Sequence, residues 1–207
     1  MGDSMKKMIL LISAFCFLAL IGMAAAQNGA TSANPGMMVL QQDTASNNTN
    51  ISLYSAAQDW GIYAFSIGEA VKFTAPKSGW KLKQIQVLGW NGFNETTRTV
   101  PASGNFLIEI RDKDLNLLYR LADTQNAYFT NPMPILRTID IPALSVTGDF
   151  YIIFYDRSTM RIGVELENGT GNSYQYNDLN GQLIPADFKI ENNATAKVNW
   201  VIRAVGE

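Results

Sequence analysis

Residues 148–156, G-D-F-Y-I-I-F-Y-D, predict the central strand of a β-sheet. Six consecutive apolar or aromatic residues lie between two aspartates, and Gly148 precedes them as a turn residue. Alternate side chains of a strand point to opposite faces, so residues 150, 152 and 154 share one face and residues 151, 153 and 155 the other. Burying one such side chain stabilises the fold by about 1.5–3 kcal/mol, and ordering each backbone unit costs about 1–2 kcal/mol. We therefore predict a strand that is covered on both faces.

The chain on either side of this strand is divided into short apolar segments by turn residues. No stretch beyond the N-terminal region shows the 3.6-residue apolar period of a helix. Gly68-Glu69 lies between two apolar segments and is typical of a two-residue hairpin loop. About nine or ten short strands predict an all-β fold, an antiparallel β-sandwich of jelly-roll or galactose-binding-like arrangement.

The N-terminus predicts export. Lys6 and Lys7 precede an apolar run, residues 8–23, and three alanines follow, as signal peptidases prefer. Residues 1–26 are therefore predicted to be a signal peptide, with an uncleaved N-terminal anchor as the alternative, since the run approaches the length that spans a bilayer. Either alternative predicts a secreted or cell-surface protein, and only the anchor would contact the membrane.

The rest of the chain divides into a linker and a domain. Residues 27–52 are polar and low in complexity, which predicts a flexible linker. Residues 53–207 contain the strand segments and are long enough to form one sizeable core. We predict that they form the sandwich.

The composition excludes several kinds of catalytic site. The chain contains no histidine, which excludes a Ser-His-Asp triad and the usual zinc enzymes. Its one cysteine, Cys16, lies in the N-terminal apolar run. A formal net charge of −2 argues against nucleic acid as a partner, because phosphate binding needs a clustered basic surface. A glycosidase pair drawn from Glu109, Glu165 and Glu167 is the remaining enzyme hypothesis, but the first two occupy outward strand positions that predict solvated carboxylates. We predict no enzymatic activity.

Two tryptophans are the main candidates for ligand binding. Trp80 and Trp90 flank a predicted strand, and Trp90 begins a long loop with Asn91-Gly92-Phe93. Their ring faces could stack on a sugar, while Asp156 and Arg157 at the end of the central strand could bind its hydroxyl groups. The alternatives are that the large aromatic side chains belong to the core and that the charged ones form surface ion pairs.

No cofactor is predicted, and calcium is the one ion that the loop carboxylates could bind. Asp149, Asp156 and Asp178 lie in or beside predicted turns and carry the oxygen ligands that calcium prefers. The segment D-K-D-L-N at residues 112–116 resembles a calcium loop, but Leu117 stands where such a loop needs glycine, which favours a hairpin turn. Five N-x-Ser/Thr sequons predict glycosylation at Asn47, Asn50, Asn94, Asn168 and Asn193.

Several of these segments resemble a recurrent secreted domain of methanogenic archaea. They are E-A-V-K-F-T-A-P at 69–76, W-K-L-K-Q-I-Q-V-L-G-W at 80–90, I-E-I-R-D-K-D-L at 108–115, the central strand, and W-V-I-R at 200–203. The resemblance implies an extracytoplasmic β-sandwich accessory domain and no particular functional residue. Together with the composition, it predicts a non-catalytic binding or adhesion module for surface glycans. The alternative is a structural envelope component whose partners are other envelope proteins.

Overall fold

The computed structural model of the chain describes residues 36–44, 51–55, 66–101, 104–189 and 194–207. These residues form two large antiparallel sheets with one core between them, so the prediction of an all-β sandwich is confirmed. The predicted signal peptide, Trp60 and the sequons at Asn47, Asn50 and Asn193 lie outside the described residues. The described part of the chain has no helix with the length and apolar character needed to span a bilayer.

The described residues contain fifteen strands and one short helix, α1 (Gln125–Phe129). The strands are β1 (Met38–Leu40), β2 (Ile51–Tyr54), β3 (Ile67–Thr74), β4 (Trp80–Trp90), β5 (Asn105–Asp112), β6 (Leu117–Thr124), β7 (Ile135–Val146), β8 (Asp149–Tyr155), β9 (Arg161–Glu165), β10 (Ser173–Asn177), β11 (Gln182–Pro185), β12 (Asp187–Lys189), β13 (Thr195–Lys197), β14 (Asn199–Trp200) and β15 (Ile202–Gly206). The prediction of nine or ten strands was too low, because single residues such as Ala186 and Val201 divide long segments and because β1 and β2 begin inside the predicted linker.

The core lies between a seven-stranded and a six-stranded sheet. The seven-stranded sheet has the order β1-β15-β4-β9-β14, with β7 paired to β4 and β2 paired to β9. The six-stranded sheet has the order β11-β10-β3-β8-β5-β6, and β12 and β13 form a separate pair. β8 therefore lies in the middle of its sheet, between β3 and β5.

The central strand is buried as its sequence predicts. Phe150, Ile152 and Phe154 face the seven-stranded sheet and are buried in the main core. On the outward face, Ile153 and Tyr155 are buried in a second, smaller apolar cluster, while Tyr151 is half-buried. Both faces of β8 are thus covered, which is unusual for the outward face of a sandwich sheet.

The prediction of a hairpin loop at Gly68-Glu69 is wrong. Both residues lie inside β3 and are buried. A Cβ atom on Gly68 would lie 2.6 Å from Cγ2 of Ile153 and 3.1 Å from the ring of Tyr155. The glycine is needed because these side chains lie against the backbone of β3, and not because the chain turns there.

The prediction of a flexible linker is wrong for the part of it that the structure describes. β1 pairs with β15, and β2 begins at Ile51. Beyond β1, the buried Asp43 lies 2.7 Å from a guanidinium nitrogen of Arg203, and the Thr44 amide donates a hydrogen bond to Glu165. The polar composition of this segment suggested disorder. Its polar residues are nevertheless fixed on the sheet, because they form hydrogen bonds and an ion pair with charged side chains. The folded unit therefore begins before residue 53.

Candidate functional site

The outward face of the six-stranded sheet carries a cluster of four tyrosines, which we call the tyrosine face: Tyr151, Tyr155, Tyr174 and Tyr176. The strand register brings them together. β3 pairs Ala70 with Tyr174 on one side and with Ile153 on the other, and it pairs Gly68 with Tyr176. Because alternate residues share a face, all four tyrosines lie on the side of Ala70 and Ile153.

Small residues on β3 make room for these rings. Gly68 and Ala70 are buried, and the side chains of Ile153 and Tyr155 lie directly over Gly68. The rings of Tyr151 and Tyr174 meet edge to face, with centroids 6.1 Å apart and planes at 73°. Tyr155 and Tyr176 are buried, whereas Tyr151 and Tyr174 are half-buried and present ring surface to solvent.

A charged network borders the tyrosines. Glu109 on β5 pairs in register with Ile153, which places it on the same face. Its buried carboxylate accepts hydrogen bonds from Arg111 and Arg120, at 2.8 Å from Nε of each, and from the hydroxyl of Tyr155 at 3.1 Å. The guanidinium of Arg111 also lies over the ring of Tyr176, 5.0 Å from its centroid, which is within cation–π distance. A further carboxylate oxygen, on Asp178, lies 3.6 Å from Arg111.

These contacts set the ionisation of the network. Burial by itself raises the pKa of Glu109, but the hydrogen bonds and charges of Arg111 and Arg120 outweigh burial and lower that pKa below its usual range. Burial, followed by the negative charge of Glu109, strongly raises the pKa of Tyr155. Burial likewise raises the pKa of Tyr151. At neutral pH Tyr151 and Tyr155 are therefore neutral phenols beside an ionised, doubly paired carboxylate.

The structure places the two candidate tryptophans far apart. Trp80 is 1% exposed and packs against Phe150, with ring centroids 6.2 Å apart, so its prediction as a ligand-binding residue is wrong and the core alternative holds. Trp90 is half-buried, and its indole N–H donates to the carbonyl of Asn131 at 2.9 Å. The two residues occupy opposite ends of β4, roughly 33 Å apart at about 3.3 Å per residue. They do not share one binding face.

Asp156 and Arg157 follow β8 directly, but the structure does not present Asp156 to solvent. Asp156 is fully buried on the core side, like Phe154 two residues earlier, so its prediction as a strand-end residue open to a ligand is wrong. Its charge acts on Glu69, whose buried carboxylate has no side-chain hydrogen-bond partner among the described residues, although the backbone amides of Glu69 and Asp156 lower its pKa in part. Burial first, and the charge of Asp156 second, raise the pKa of Glu69 well above its usual range. Arg157 is half-buried, and its carbonyl accepts a hydrogen bond from Gln125.

The three aspartates proposed for calcium do not form one site. Asp149 and Asp156 lie at opposite ends of β8, roughly 23 Å apart at about 3.3 Å per residue. Asp149 accepts a hydrogen bond from Thr74, and Asp178 belongs to the network of Arg111. Within the described ranges, no group of three His, Cys, Asp or Glu side chains is arranged to hold a metal ion. Residues 112–116 form the predicted hairpin turn, in which the side chain of Asp112 accepts the amides of Asp114 and Asn116.

The candidate glycosidase glutamates are buried rather than solvated. Glu109 and Glu165 are 0% and 4% exposed, so the prediction of solvated carboxylates is wrong for both. Glu165 accepts a hydrogen bond from Asn199 at 2.7 Å, on the outward face of the seven-stranded sheet. Glu109 lies on the outward face of the other sheet, so the two carboxylates are on opposite sides of the sandwich. They cannot act as a facing catalytic pair.

Two of the predicted glycosylation sites lie in the described part of the chain. Asn94 and Asn168 are both exposed, as are the threonines of their sequons, Thr96 and Thr170. Glycosylation at these positions is sterically open and stays a prediction.

Reasoning from the sequence missed Glu69, Tyr174 and Arg120 as members of polar or aromatic clusters. A signal for the tyrosines was present, because the positions of Tyr151 and Tyr155, like those of Tyr174 and Tyr176, differ by an even number, so each pair shares a face in a strand. The sequence carried no signal that β8 and β10 both pair with β3. Glu69 was missed because it was assigned to a turn.

No protein-family model, no curated protein and no solved structure matches this chain. The resemblance to a secreted domain of methanogenic archaea therefore stays a prediction. Function has to be argued from the geometry of the site.

Proposed function

We propose that this protein is a secreted or cell-surface binding module without catalytic activity, and that its tyrosine face binds glycans. The observation that carries the proposal is the concentration of four tyrosines on one outward sheet face, beside a buried glutamate held by two arginines. The predicted export signal supports the extracellular location.

Tyr151 and Tyr174 supply the apolar part of the site. The C–H groups on one side of a pyranose ring pack on aromatic rings, and tyrosine offers such a surface at a small cost in conformational entropy. The edge-to-face contact between these two rings holds both of them in place before a ligand arrives. A chain of sugar rings could lie across these two half-buried rings.

Arg120 and Asp178 supply hydrogen bonds to hydroxyl groups. Their side chains are 51% and 49% exposed, so each keeps donor or acceptor capacity for a ligand. Arg120 is anchored by Glu109 and Asp178 by Arg111, which orients their polar atoms in advance. Oriented polar groups at the border of an aromatic surface are the arrangement that gives a sugar site its specificity.

The ionisation of the network favours binding over catalysis. A general acid or base needs a pKa near the working pH. The pKa of Glu109 is lowered and that of Tyr155 is raised, so both move away from neutrality. Neither group is suited to transfer a proton at neutral pH.

A glycan array probed with the purified protein, followed by calorimetry on the glycans that bind, tests the proposal. We expect Tyr151→Ala and Tyr174→Ala each to weaken binding about tenfold, the effect of losing one stacking contact of about 1–1.5 kcal/mol. Circular dichroism and thermal melting would show whether each variant keeps the fold.

Phe93→Ala is the matched control. Phe93 is a half-buried aromatic residue in the loop after Trp90, and it belongs to neither apolar cluster. Binding that falls with Phe93→Ala and not with the tyrosine variants would move the site to that loop and refute the tyrosine face. Failure to bind any glycan, together with ordered self-assembly in scattering experiments, would favour the structural envelope alternative.

A further inference from the structure

The seven-stranded sheet contains a break in its hydrogen-bonded ladder at Lys83. Between β4 and β7, Leu82 pairs with Leu144 and Gln84 pairs with Asp140, so Lys83 faces three residues of β7, of which Pro142 has no N–H to donate. On the other side, β15 pairs Gly206 with Leu82 and Val205 with Gln84. Lys83 is therefore an extra residue with respect to β15, whereas β7 has two more residues than β4 at the same point. Such bulges redirect a side chain and interrupt strand pairing, and they are over-represented next to functional sites.

A cavity of about 310 Å³ lies at this break. Its apolar wall is formed by Met37, Ile141 and Ala143. Its polar wall is formed by Lys83, Gln84, Asp140 and Glu207. The volume lies at the lower end of the range of ligand sites, about 300–1,000 Å³, and is suited to one small ring-sized molecule.

The polar wall is already ordered by two internal contacts. The Lys83 ammonium lies 2.5 Å from a carboxylate oxygen of Glu207, and the Gln84 amide donates to Asp140 at 2.8 Å. Each carboxylate has a second oxygen that neither contact uses, so both retain acceptor capacity. The Lys83 hydrogen bond, followed by its charge, lowers the pKa of Glu207, which keeps that carboxylate ionised.

The charge of the lining selects among ligands. Two carboxylates and one ammonium leave the cavity with one net negative charge. A ligand that is itself an anion is repelled, whereas hydroxyl and ammonium groups can donate to the free carboxylate oxygens. The apolar wall requires that one side of the ligand be formed by C–H groups.

We propose that this cavity is a binding site for a single monosaccharide that is neutral or carries an amino group. It lies on the seven-stranded sheet, and the tyrosine face lies on the other sheet. The inference therefore does not depend on glycan binding at the tyrosines.

Titration of the ¹⁵N-labelled protein with D-glucosamine, D-glucose and D-glucuronate, followed by amide chemical shifts, tests the proposal. An affinity in the range of about 1–10 mM is expected for so small a ligand. Glucosamine should shift the amides of Lys83, Asp140 and Glu207 most, glucose should shift the same amides at higher concentration, and glucuronate should leave them unchanged. The absence of shifts with all three sugars would overturn the proposal, and shifts of equal size with glucuronate would overturn the charge selection.

Variants connect the shifts to the cavity. Asp140→Asn, at an exposed position, should weaken the binding of glucosamine about tenfold, which is the effect of losing one charge-assisted contact. Ala143→Leu should fill the cavity and abolish the shifts with glucose as well. Thr138→Val is the matched control, because Thr138 pairs with Gln86 two positions along the same two strands, and it should change neither the affinity for glucosamine nor the shifts with glucose. Tyr151→Ala should also leave these shifts unchanged, and their loss in that variant would assign the sugar to the tyrosine face instead.

Discussion

Replacing Glu69 by glutamine should remove a loss of stability that occurs as the pH rises. The same replacement at Glu109 should remove a stabilising contribution that is present at neutral pH and is lost as the pH falls. Both side chains are buried, in strands on either side of β8. Glu69 points toward the core, beside the charge of Asp156, and its carboxylate has no side-chain hydrogen-bond partner among the described residues. Glu109 points outward and accepts hydrogen bonds from Arg111 and Arg120.

The direction follows from the two pKa shifts. The pKa of Glu69 is raised by folding, because burial and then Asp156 disfavour the ionised form. The contribution of Glu69 to the free energy of unfolding is therefore fully present below the unfolded-state pKa of about 4.3, and it falls by about 1.4 kcal/mol per pH unit as the pH rises toward the folded-state pKa. Glutamine has the shape of the protonated carboxyl and does not ionise, so Glu69→Gln should remove this decline. At neutral pH the variant should be at least as stable as the wild type.

The contribution of Glu109 to stability should change with pH in the direction opposite to that of Glu69. Its pKa is lowered by folding because the two arginines outweigh burial, so its stabilising contribution is present above the unfolded-state pKa and is lost as the pH falls through the folded-state pKa. Glu109→Gln should cost about 1–3 kcal/mol at neutral pH, a moderate value because the side chain of Arg120 is half exposed and solvent screens it.

Urea unfolding followed by tryptophan fluorescence, from about pH 2.5 to 8, measures these differences. Because titrations elsewhere in the chain are common to all three proteins, the difference curves isolate the two glutamates. Parallel curves for the wild type and Glu69→Gln would mean that Glu69 is ionised in the folded state, which would refute the reasoning.

Three further substitutions, with Leu179→Ala as a control, test the packing and one buried ion pair. Phe154→Ala should lower the free energy of unfolding by about 3–5 kcal/mol in urea titrations, because it leaves a cavity between the sheets, whereas Leu179→Ala, at a position 73% exposed, should change it by less than about 0.5 kcal/mol. Gly68→Ala should lower the melting temperature, because the new Cβ atom would lie 2.6 Å from a neighbouring side-chain carbon, and an unchanged value would show that β8 can move away from β3. Asp43→Asn should weaken the 2.7 Å ion pair with Arg203 and speed hydrogen exchange of the amides of β1; exchange at the wild-type rate would mean that backbone pairing alone holds this strand.

The fold class could be predicted because its signals are local. The alternation of apolar side chains in residues 150–155 depends only on neighbouring residues, and β8 is where that pattern places it. Wrong predictions arose where a local signal had two physical causes. Glycine at position 68 is compatible with a turn or with close packing, and only the neighbouring strand decides between them.

The candidate site was less predictable than the fold. Trp80 and Trp90 were chosen for the chemistry of their rings, but exposure decides whether a ring can bind a ligand, and Trp80 lies in the core. Glu109 was expected to be solvated because it points outward, and Arg111, Arg120 and Tyr155 cover it. Each of these outcomes depends on side chains from a different strand.

The sequence by itself determined that this chain forms short, alternating strands with a continuous apolar core, because strand periodicity and turn residues act over a few positions. Only the tertiary structure decided that β3 lies between β8 and β10, which gathers the tyrosines on one face and leaves Glu69 between the sheets. The physical reason is that burial and pKa are properties of the neighbours in space. Those neighbours are set by pairing between strands that are far apart in the chain, such as β3 and β10, whose paired residues Val71 and Ser173 are separated by about a hundred positions.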